Sequence, residues 1–185
     1  MTAHALTQLH ESQGQSLWLD NLSRKLLEDD GLPRLIAEYG IRGVTSNPSI
    51  FKKAIVGSDL YTDDLAECKR RYDEIESIYE HLVVSDIQRA CDLLRPVWDA
   101  SFGEDGWVSW EESPSIAHDA AQSVEAAHHL RKLVDRPNVL IKVPGTTEGI
   151  EAFERLVADG VSVNVTLLFS LDQVKRVFAA YRRGL

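Results

Sequence analysis

Lys142 is the residue whose setting most directly suggests chemistry. It lies in the run Val-Leu-Ile-Lys-Val-Pro at residues 139–144, although lysine is rarely buried among apolar side chains. One interpretation is an ion pair to a nearby carboxylate, with the aliphatic stem packed. The other is a nucleophilic amine that forms a Schiff base with a carbonyl and must be neutral to do so. Lowering an amine pKa from ~10.4 to ~7.5 takes about 4 kcal/mol of selective destabilisation of the cation, which a dry strand position can supply.

Two carboxylates, Asp20 and Glu111, also end apolar runs. Either could be a turn or helix-cap carboxylate, which is a common role for acidic residues at such positions. A site that condenses an amine with a carbonyl, however, needs one group that accepts a proton from a substrate hydroxyl and a second group that manages water. Two carboxylates in different surroundings can divide these tasks.

Three neutral polar residues, Thr45, Asn47 and Asn164, lie at or just after other apolar runs. Taken singly, such residues are typical of turns and caps. Together with Lys142 they indicate a site for a polyhydroxylated ligand such as a sugar, whose hydroxyl groups pair with neutral donors and acceptors. The sequence has no phosphate-binding glycine loop and no metal-ligand spacing, so we expect neither a cofactor nor a metal.

The elements that must carry these residues alternate between short apolar runs and helical periodicity. The apolar runs predict five strands, at residues 16–20, 41–45, 107–111, 139–143 and 161–165. Helical patterns predict helices over 21–39, 115–134, from the turn at 144–147 to 159, from about 170, and through 52–106 with its longest stretch near 85–102. Alternating strands and helices predict right-handed βαβ units and a parallel sheet, hence an α/β fold. We expect one domain, residues 1–185, with residues 52–106 as a helical insertion between the second and third strands.

Polar and apolar residues alternate within the last three predicted strands. The polar set shares one parity in each strand and comprises Ser109, Glu111, Lys142, Ser162, Asn164 and Thr166. Successive side chains of a strand point to opposite faces, so we expect these polar groups on one face and the apolar ones against the helices. Polar side chains crowded at the carboxyl ends of parallel strands mark the active end of a barrel or an open α/β sheet.

Composition excludes several classes of protein. The chain has 185 residues, 44% of them hydrophobic, and its 20 Lys+Arg against 29 Asp+Glu give a formal net charge of −9. This acidic balance argues against binding to nucleic acids or anionic membranes, and no apolar run approaches the ~18 residues of a spanning helix. Cys68 and Cys91 fit no metal or redox spacing, and residues 1–15 lack the regions of a signal peptide. We therefore expect reduced thiols in a cytoplasmic protein.

Four segments, in order along the chain, resemble motifs of the transaldolase family. Gly-Val-Thr-Ser-Asn-Pro-Ser-Ile-Phe at residues 43–51 is similar to the family's Thr-Ser/Thr-Asn-Pro-Ser motif, and residues 139–150 are similar to the strand of its Schiff-base lysine. Residues 107–111 and 164–170 resemble two further strand ends of the family. The order of the segments also resembles the form with a long helical insertion, which is sometimes fused to glucose-6-phosphate isomerase.

The resemblance implies a TIM (β/α)8 barrel and a cofactor-free transferase of the pentose phosphate pathway. Such an enzyme moves a dihydroxyacetone unit reversibly from sedoheptulose 7-phosphate or fructose 6-phosphate to glyceraldehyde 3-phosphate or erythrose 4-phosphate. By this resemblance, Lys142 forms the Schiff base with C2 of the ketose. Asp20 takes the proton of the C4 hydroxyl, so that the C3–C4 bond breaks.

The same resemblance assigns roles to the remaining candidates. Glu111 manages proton transfer during imine formation, through a water held with Thr166. Asn47 and Asn164 hold the hydroxyls of the bound three-carbon unit, with Thr45 nearby. The partners implied are sugar phosphates, and a homo-oligomer is compatible with the pattern.

The number of strands departs from the family pattern. Five strands are predicted where a (β/α)8 barrel needs eight, and the residues that bind the substrate phosphate in the family are expected beyond Leu185. We therefore expect the 185-residue chain alone to associate through unpaired strand edges and to turn over poorly. Two alternatives stay open: a non-catalytic truncated half-barrel that self-associates, and a related Schiff-base aldolase that releases free dihydroxyacetone.

Overall fold

The computed structural model describes residues 5–28 and 30–185 and contains one five-stranded sheet. The strands follow one another in the sheet in the order in which they occur in the sequence, and β1 pairs with β2, and β4 with β5, in parallel. They are β1 (Leu17–Asp20), β2 (Ile41–Thr45), β3 (Trp107–Glu111), β4 (Val139–Pro144) and β5 (Val163–Thr166). This order, with helices after each strand, confirms the predicted α/β class and corresponds to the first five βα units of a TIM barrel.

The helices that the structure describes account for most of the rest of the chain. They are α1 (Ala5–Gln13), α2 (Arg24–Glu28), α3 (Gly31–Tyr39), α4 (Pro48–Val56), α5 (Thr62–Arg71), α6 (Ile75–Ala100), α7 (Ala120–Val134), α8 (Thr147–Ala158) and α9 (Leu171–Gly184). Short 3-10 turns lie at Asp59–Tyr61 and Pro114–Ile116. The segment predicted as helical, residues 52–106, thus holds the end of α4, all of α5 and the 26-residue helix α6.

The predicted bounds agree for β2 and β3 and differ elsewhere for local reasons. The single helix predicted over 21–39 is two helices, α2 and α3, and Asp30 before α3 adopts a left-handed backbone with φ 54°. At the other end of α3, Gly40 caps the helix with φ 69°, and its N–H donates to the carbonyl of Ile36 at 3.2 Å. The predicted end of the helix at residue 39 is thereby confirmed.

Three other helix and strand starts were misplaced. Helix α6 begins at Ile75, ten residues before the predicted stretch. Helix α7 begins at Ala120 rather than at 115, because the Asp119 side chain accepts the N–H of Gln122 at 3.0 Å and so caps the helix there. Strand β5 begins at Val163, since the N–H of Val161 donates to the carbonyl of Leu156 at 2.9 Å and closes the end of α8.

The contacts divide the chain into two compact units. One comprises the chain up to Val108 together with Arg136–Asn138, and the other comprises Ser109–Asp135 and Val139–Leu185, so that β3 begins in the first and ends in the second. In the first unit α3 and α6 pack against β2, and the core includes the fully buried Val44, Val83, Ile87 and Leu94. In the second unit α7 and α8 pack against β4, and the core includes the fully buried Ile141, Val143, Val134 and Leu156.

Candidate active site

Lys142 and Glu111 form the polar centre of the second unit. The Nζ of Lys142 lies 3.0 Å from Oε2 of Glu111, and the two side chains are 12% and 19% exposed. Lys142 is flanked in β4 by Ile141 and Val143, which are fully buried and point to the other face. This contact is compatible with both predicted roles of Lys142, the ion pair and the nucleophilic amine. It is an ion pair, and it also places a carboxylate within proton-transfer distance of the amine.

Asn164 joins the same face. Its Nδ2 donates to Oγ of Ser109 at 2.9 Å, and Asn164 is the register partner of Lys142 in the pairing of β4 with β5. Ser109 is itself fully buried. Strand parity predicted that these residues share a face, and the two contacts confirm it. Ser109 was placed on that face by its parity but was not singled out as a site residue, and its bond to Asn164 shows what it does.

Thr166 ends β5, where it is the register partner of Pro144. Its carbonyl accepts the N–H of Gly145 at 2.7 Å, and its side chain is half-buried. The predicted water between Thr166 and Glu111 stays a prediction.

Asp20 and Thr45 end neighbouring strands in the first unit. They are register partners in the pairing of β1 with β2, and Asp20 is exposed. The Oγ1 of Thr45 is buried and has no hydrogen-bond partner among the described residues. A buried hydroxyl without a partner is costly in a folded protein, and at a strand end it is a group that a ligand can satisfy.

Asn47 has a structural role that its position in the sequence also indicated. It is the N-cap of α4: its Oδ1 accepts the N–H of Ile50 at 2.9 Å, and Pro48 follows at the first helical position. This cap uses only the carbonyl oxygen of the amide, so the two N–H donors of Nδ2 are not consumed by it. The Asn-Pro sequence thus fixes the side chain at the end of β2 by capping the next helix.

Glu112, next to Glu111 in the chain, is a buried acid that was not predicted as a site residue. It is 2% exposed, its Oε1 accepts the hydroxyl of Ser123 at 2.9 Å, and its Oε2 has no partner among the described residues. Burial raises the pKa of Glu112 to about 7, against the smaller lowering effect of the Ser123 hydrogen bond. Its N–H donates to the carbonyl of Lys142 at 3.2 Å, which ties this position to β4. The available signal was parity, since two consecutive strand residues cannot share a face.

The described residues were compared with the requirements of a metal-ligand cluster and of a membrane-spanning helix. Residues 5–28 and 30–185 contain no group of three or more His, Cys, Asp or Glu side chains that could hold a metal ion. Over the same residues, no helix combines the length and hydrophobicity that a bilayer crossing requires. Both cysteines are buried and free.

Comparison with known proteins decides the family. Residues 17–184 match the family described as Transaldolase/Fructose-6-phosphate aldolase. The chain belongs to this family. The resemblance that the four motifs predicted is thereby confirmed.

Individual members of the family align along almost all of the chain. It is 56% identical over 172 residues to the transaldolase of Thiobacillus denitrificans, which covers 93% of this chain and 48% of that protein. It is 45% identical over 184 residues to transaldolase 1 of Streptomyces coelicolor, covering 100% of this chain and 48% of the relative. Transaldolase 2 of Nostoc punctiforme is also 45% identical, over 93% of this chain and 45% of its own length. The chain therefore spans about half the length of these relatives.

Proposed function

We propose that the protein is a transaldolase, which transfers a dihydroxyacetone unit reversibly between sugar phosphates through a Schiff base on Lys142. The observation that carries the proposal is the 3.0 Å contact between the Lys142 amine and Glu111, on the face that also holds Asn164 and Ser109. Membership of the family supports the same chemistry. The donors are ketose phosphates such as sedoheptulose 7-phosphate or fructose 6-phosphate, and the acceptors are glyceraldehyde 3-phosphate or erythrose 4-phosphate, as in the pentose phosphate pathway.

The first half of the reaction joins Lys142 to the ketose. The neutral amine attacks C2 of the carbonyl, the carbinolamine loses water, and a protonated imine forms. Glu111 takes the ammonium proton and returns protons to the departing water, through a water molecule held with Thr166. The short distance between Lys142 and Glu111 supports this role, because proton transfer needs groups within hydrogen-bond reach or one water apart.

The second half breaks the sugar. Asp20 accepts the proton of the C4 hydroxyl, the C3–C4 bond breaks, and its electron pair moves into the imine to give an enamine as the aldose phosphate leaves. Asn47 and Asn164 donate hydrogen bonds to the hydroxyls of the remaining three-carbon unit, and the unpartnered hydroxyl of Thr45 binds nearby. An acceptor aldose phosphate then enters, and the steps run in reverse.

A second candidate function has one observation in its favour. The matched family is described by two activities, transaldolase and fructose-6-phosphate aldolase. An aldolase would use the same lysine and the same C3–C4 cleavage, but water would hydrolyse the enamine-derived imine and release free dihydroxyacetone. The two activities differ only in how the enamine reacts: with an acceptor aldose phosphate in the transaldolase, and by protonation and hydrolysis in the aldolase.

One assay distinguishes these functions. Incubation with fructose 6-phosphate and erythrose 4-phosphate should give sedoheptulose 7-phosphate and glyceraldehyde 3-phosphate, at the low rate expected of the 185-residue chain, while Lys142→Ala gives none. Lys132→Ala, at an exposed position on α7, is the matched control and should keep full activity. Release of dihydroxyacetone at the same rate without erythrose 4-phosphate would identify the aldolase instead. Equal product formation by Lys142→Ala would refute both functions.

The setting of the protein is part of the proposal. Both cysteines are free and buried, and burial raises the pKa of Cys91 to about 12, so that its thiol is chemically inert. Reduced, unpaired cysteines fit a cytoplasmic enzyme. Self-association, as a homo-oligomer, is compatible with this proposal.

A further inference from the structure

Arg24 is a buried cation close in sequence to Asp20. It is the first residue of α2, four positions after Asp20, and only 9% of it is exposed. Its Nε donates to Oδ1 of Asp86 at 3.0 Å, and its Nη1 donates to Oδ2 of Asp64 at 2.7 Å and to the carbonyl of Leu60 at 2.8 Å. A guanidinium is buried to this extent only when its N–H donors are paired, and the two carboxylates and the carbonyl form a hydrogen-bond network around Arg24.

Tyr61 ties the backbone of Arg24 to the same carboxylate. The Tyr61 hydroxyl accepts the N–H of Arg24 at 2.8 Å and donates to Oδ2 of Asp86 at 2.8 Å. The guanidinium carbon also lies 4.3 Å from the centre of the Tyr61 ring. Tyr61 and Asp86 are 1% and 3% exposed. Burial raises the pKa of Tyr61, so the hydroxyl keeps the proton that it donates.

This network holds the connection that follows Asp20. Only residues 21–23 lie between the end of β1 and Arg24, and Leu22 among them is fully buried. Before the connection, Asp20 is registered against Thr45 in the sheet. After it, Tyr61 and Asp86 hold Arg24 by its main chain and its side chain. Both of these residues, Tyr61 and Asp86, lie in the helical segment between β2 and β3. This segment therefore also holds Arg24 in place.

We propose that Tyr61 and Asp86 are positioning residues for Asp20: they hold Arg24, and so fix the direction in which the Asp20 carboxylate meets the C4 hydroxyl. This inference rests on the proposed function for the role of Asp20. It predicts a selective defect, because imine formation at Lys142 does not use Asp20 whereas C3–C4 cleavage does. A network that served stability alone would affect both steps together.

Tyr61→Phe is the variant that tests this, since it removes the hydroxyl and keeps the ring. In a single turnover with fructose 6-phosphate, we expect the rate of C3–C4 cleavage to fall about 10- to 100-fold, the scale of a misplacement of about 1 Å. Borohydride trapping at Lys142 should stay within about twofold, because the imine chemistry is untouched. Tyr72→Phe, the same change in the same helical segment, is the matched control and should leave both rates unchanged.

A double-mutant cycle makes the test specific to Asp20. In an Asp20→Asn background, Tyr61→Phe should cause no further loss of cleavage, since a residue that acts through Asp20 has nothing left to position. An equal fall in both backgrounds, or a fall in trapping as large as that in cleavage, would overturn the inference in favour of a purely structural role. Unchanged cleavage in Tyr61→Phe would overturn it as well.

Hydrogen exchange provides a readout that does not depend on activity. The amides of residues 20–23 should exchange faster in Tyr61→Phe than in the unsubstituted chain or in Tyr72→Phe, with all three melting cooperatively. If the unsubstituted chain forms no adduct at Lys142, the proposed function fails, and exchange alone then decides the anchoring. Equal exchange in all three proteins would contradict it.

Discussion

The molecule contains two cationic side chains of nearly equal, low exposure that differ in the chemistry they can perform. The Lys142 side chain is 12% exposed and meets Glu111, whereas the Arg24 side chain is 11% exposed and meets Asp64 and Asp86. Burial and an acidic partner therefore do not by themselves indicate catalysis. What separates the two is that an ammonium can lose its proton and become a nucleophile, while a guanidinium stays charged and presents a rigid fork of donors.

The carboxylates around the two cations differ in the same way. Asp86 is 5% exposed in its side chain and is bonded on both oxygens, by Arg24 and by the Tyr61 hydroxyl. Glu111 is 19% exposed in its side chain, so part of it is open to solvent. The buried ion pair of Arg24 with Asp86 is suited to holding the backbone in a fixed position. The more exposed ion pair of Lys142 with Glu111 is suited to proton transfer.

Replacing the lysine by an arginine should have the largest effect, because it tests whether the amine of Lys142 or its charge is required. Lys142→Arg keeps a positive charge opposite Glu111 but removes the amine, so transfer of dihydroxyacetone should fall at least about 10³-fold. The measurement is the initial rate of sedoheptulose 7-phosphate formation, with circular dichroism to check the fold. Activity within tenfold of the unsubstituted chain would show that the charge, and not the amine, is what matters.

The two proposed catalytic carboxylates should separate by step. Asp20→Asn should lower C3–C4 cleavage by about 10²- to 10⁴-fold and leave borohydride trapping near normal, because imine formation does not need the C4 hydroxyl proton. Glu111→Gln should slow trapping itself. Single-turnover trapping and cleavage assays measure both steps, and two variants with indistinguishable profiles would remove the division of roles.

The reciprocal exchange, Arg24→Lys, should act on stability first. An ammonium cannot reach the carboxylates and the carbonyls that the guanidinium bridges, so several buried acceptors lose a donor. We expect a loss of about 3 kcal/mol or more in the free energy of unfolding, measured by urea denaturation. A shift below about 0.5 kcal/mol, the usual range for surface substitutions, would show that the network contributes no stability.

Glu112 gives the smallest predicted effect, and one with a direction in pH. Burial raises its pKa in the folded protein to about 7, above the ordinary value of a glutamate, so the folded state holds a proton that the unfolded state has lost. The stability from this group is therefore complete below the ordinary pKa and is lost as the pH rises through about 7, by no more than about 3 kcal/mol. Ser123 and Glu111 are the groups that modify this titration.

Glu112→Gln isolates that effect from other titrations. Urea midpoints at pH 5 and pH 8 should differ less in Glu112→Gln than in the unsubstituted chain, since glutamine has no proton to lose. Ser123→Ala is a useful companion, because removing its hydrogen bond leaves the Glu112 carboxylate less stabilised and should enlarge the pH dependence. The same pH dependence in Glu112→Gln as in the unsubstituted chain would contradict the assignment.

The sequence predicted the features of single strands better than the contacts between residues that are distant in sequence. Strand parity was sufficient to place Ser109, Lys142 and Asn164 on one face, because alternation is a property of each strand. The bond of Asn164 to Ser109 and the contact of Lys142 with Glu111 depend on how the strands pair, and the structure supplied them. The Arg24 network could not be predicted in this way. Its partners Tyr61 and Asp86 lie 37 and 62 positions away in the chain, and only packing brings them together.

The errors in the local elements have a similar origin. The break between α2 and α3 depends on the left-handed backbone of Asp30, which no apolar spacing signals. Glu112 was overlooked because an acidic residue at a strand end is usually solvated, whereas here it is buried and bonded to Ser123 of α7. The sequence pattern within a single helix or strand thus predicted which face a side chain lies on. Contacts between elements determine which polar side chains are buried.

Locating the covalent intermediate shows directly whether Lys142 carries the Schiff base. Borohydride reduction in the presence of fructose 6-phosphate, followed by peptide mass spectrometry, should place a reduced dihydroxyacetone adduct on Lys142 and on no other lysine. Arg24→Lys, which adds a buried lysine in the other unit, should carry the adduct at Lys142 only. An adduct on a different lysine, or undiminished labelling of Lys142→Arg, would contradict the account.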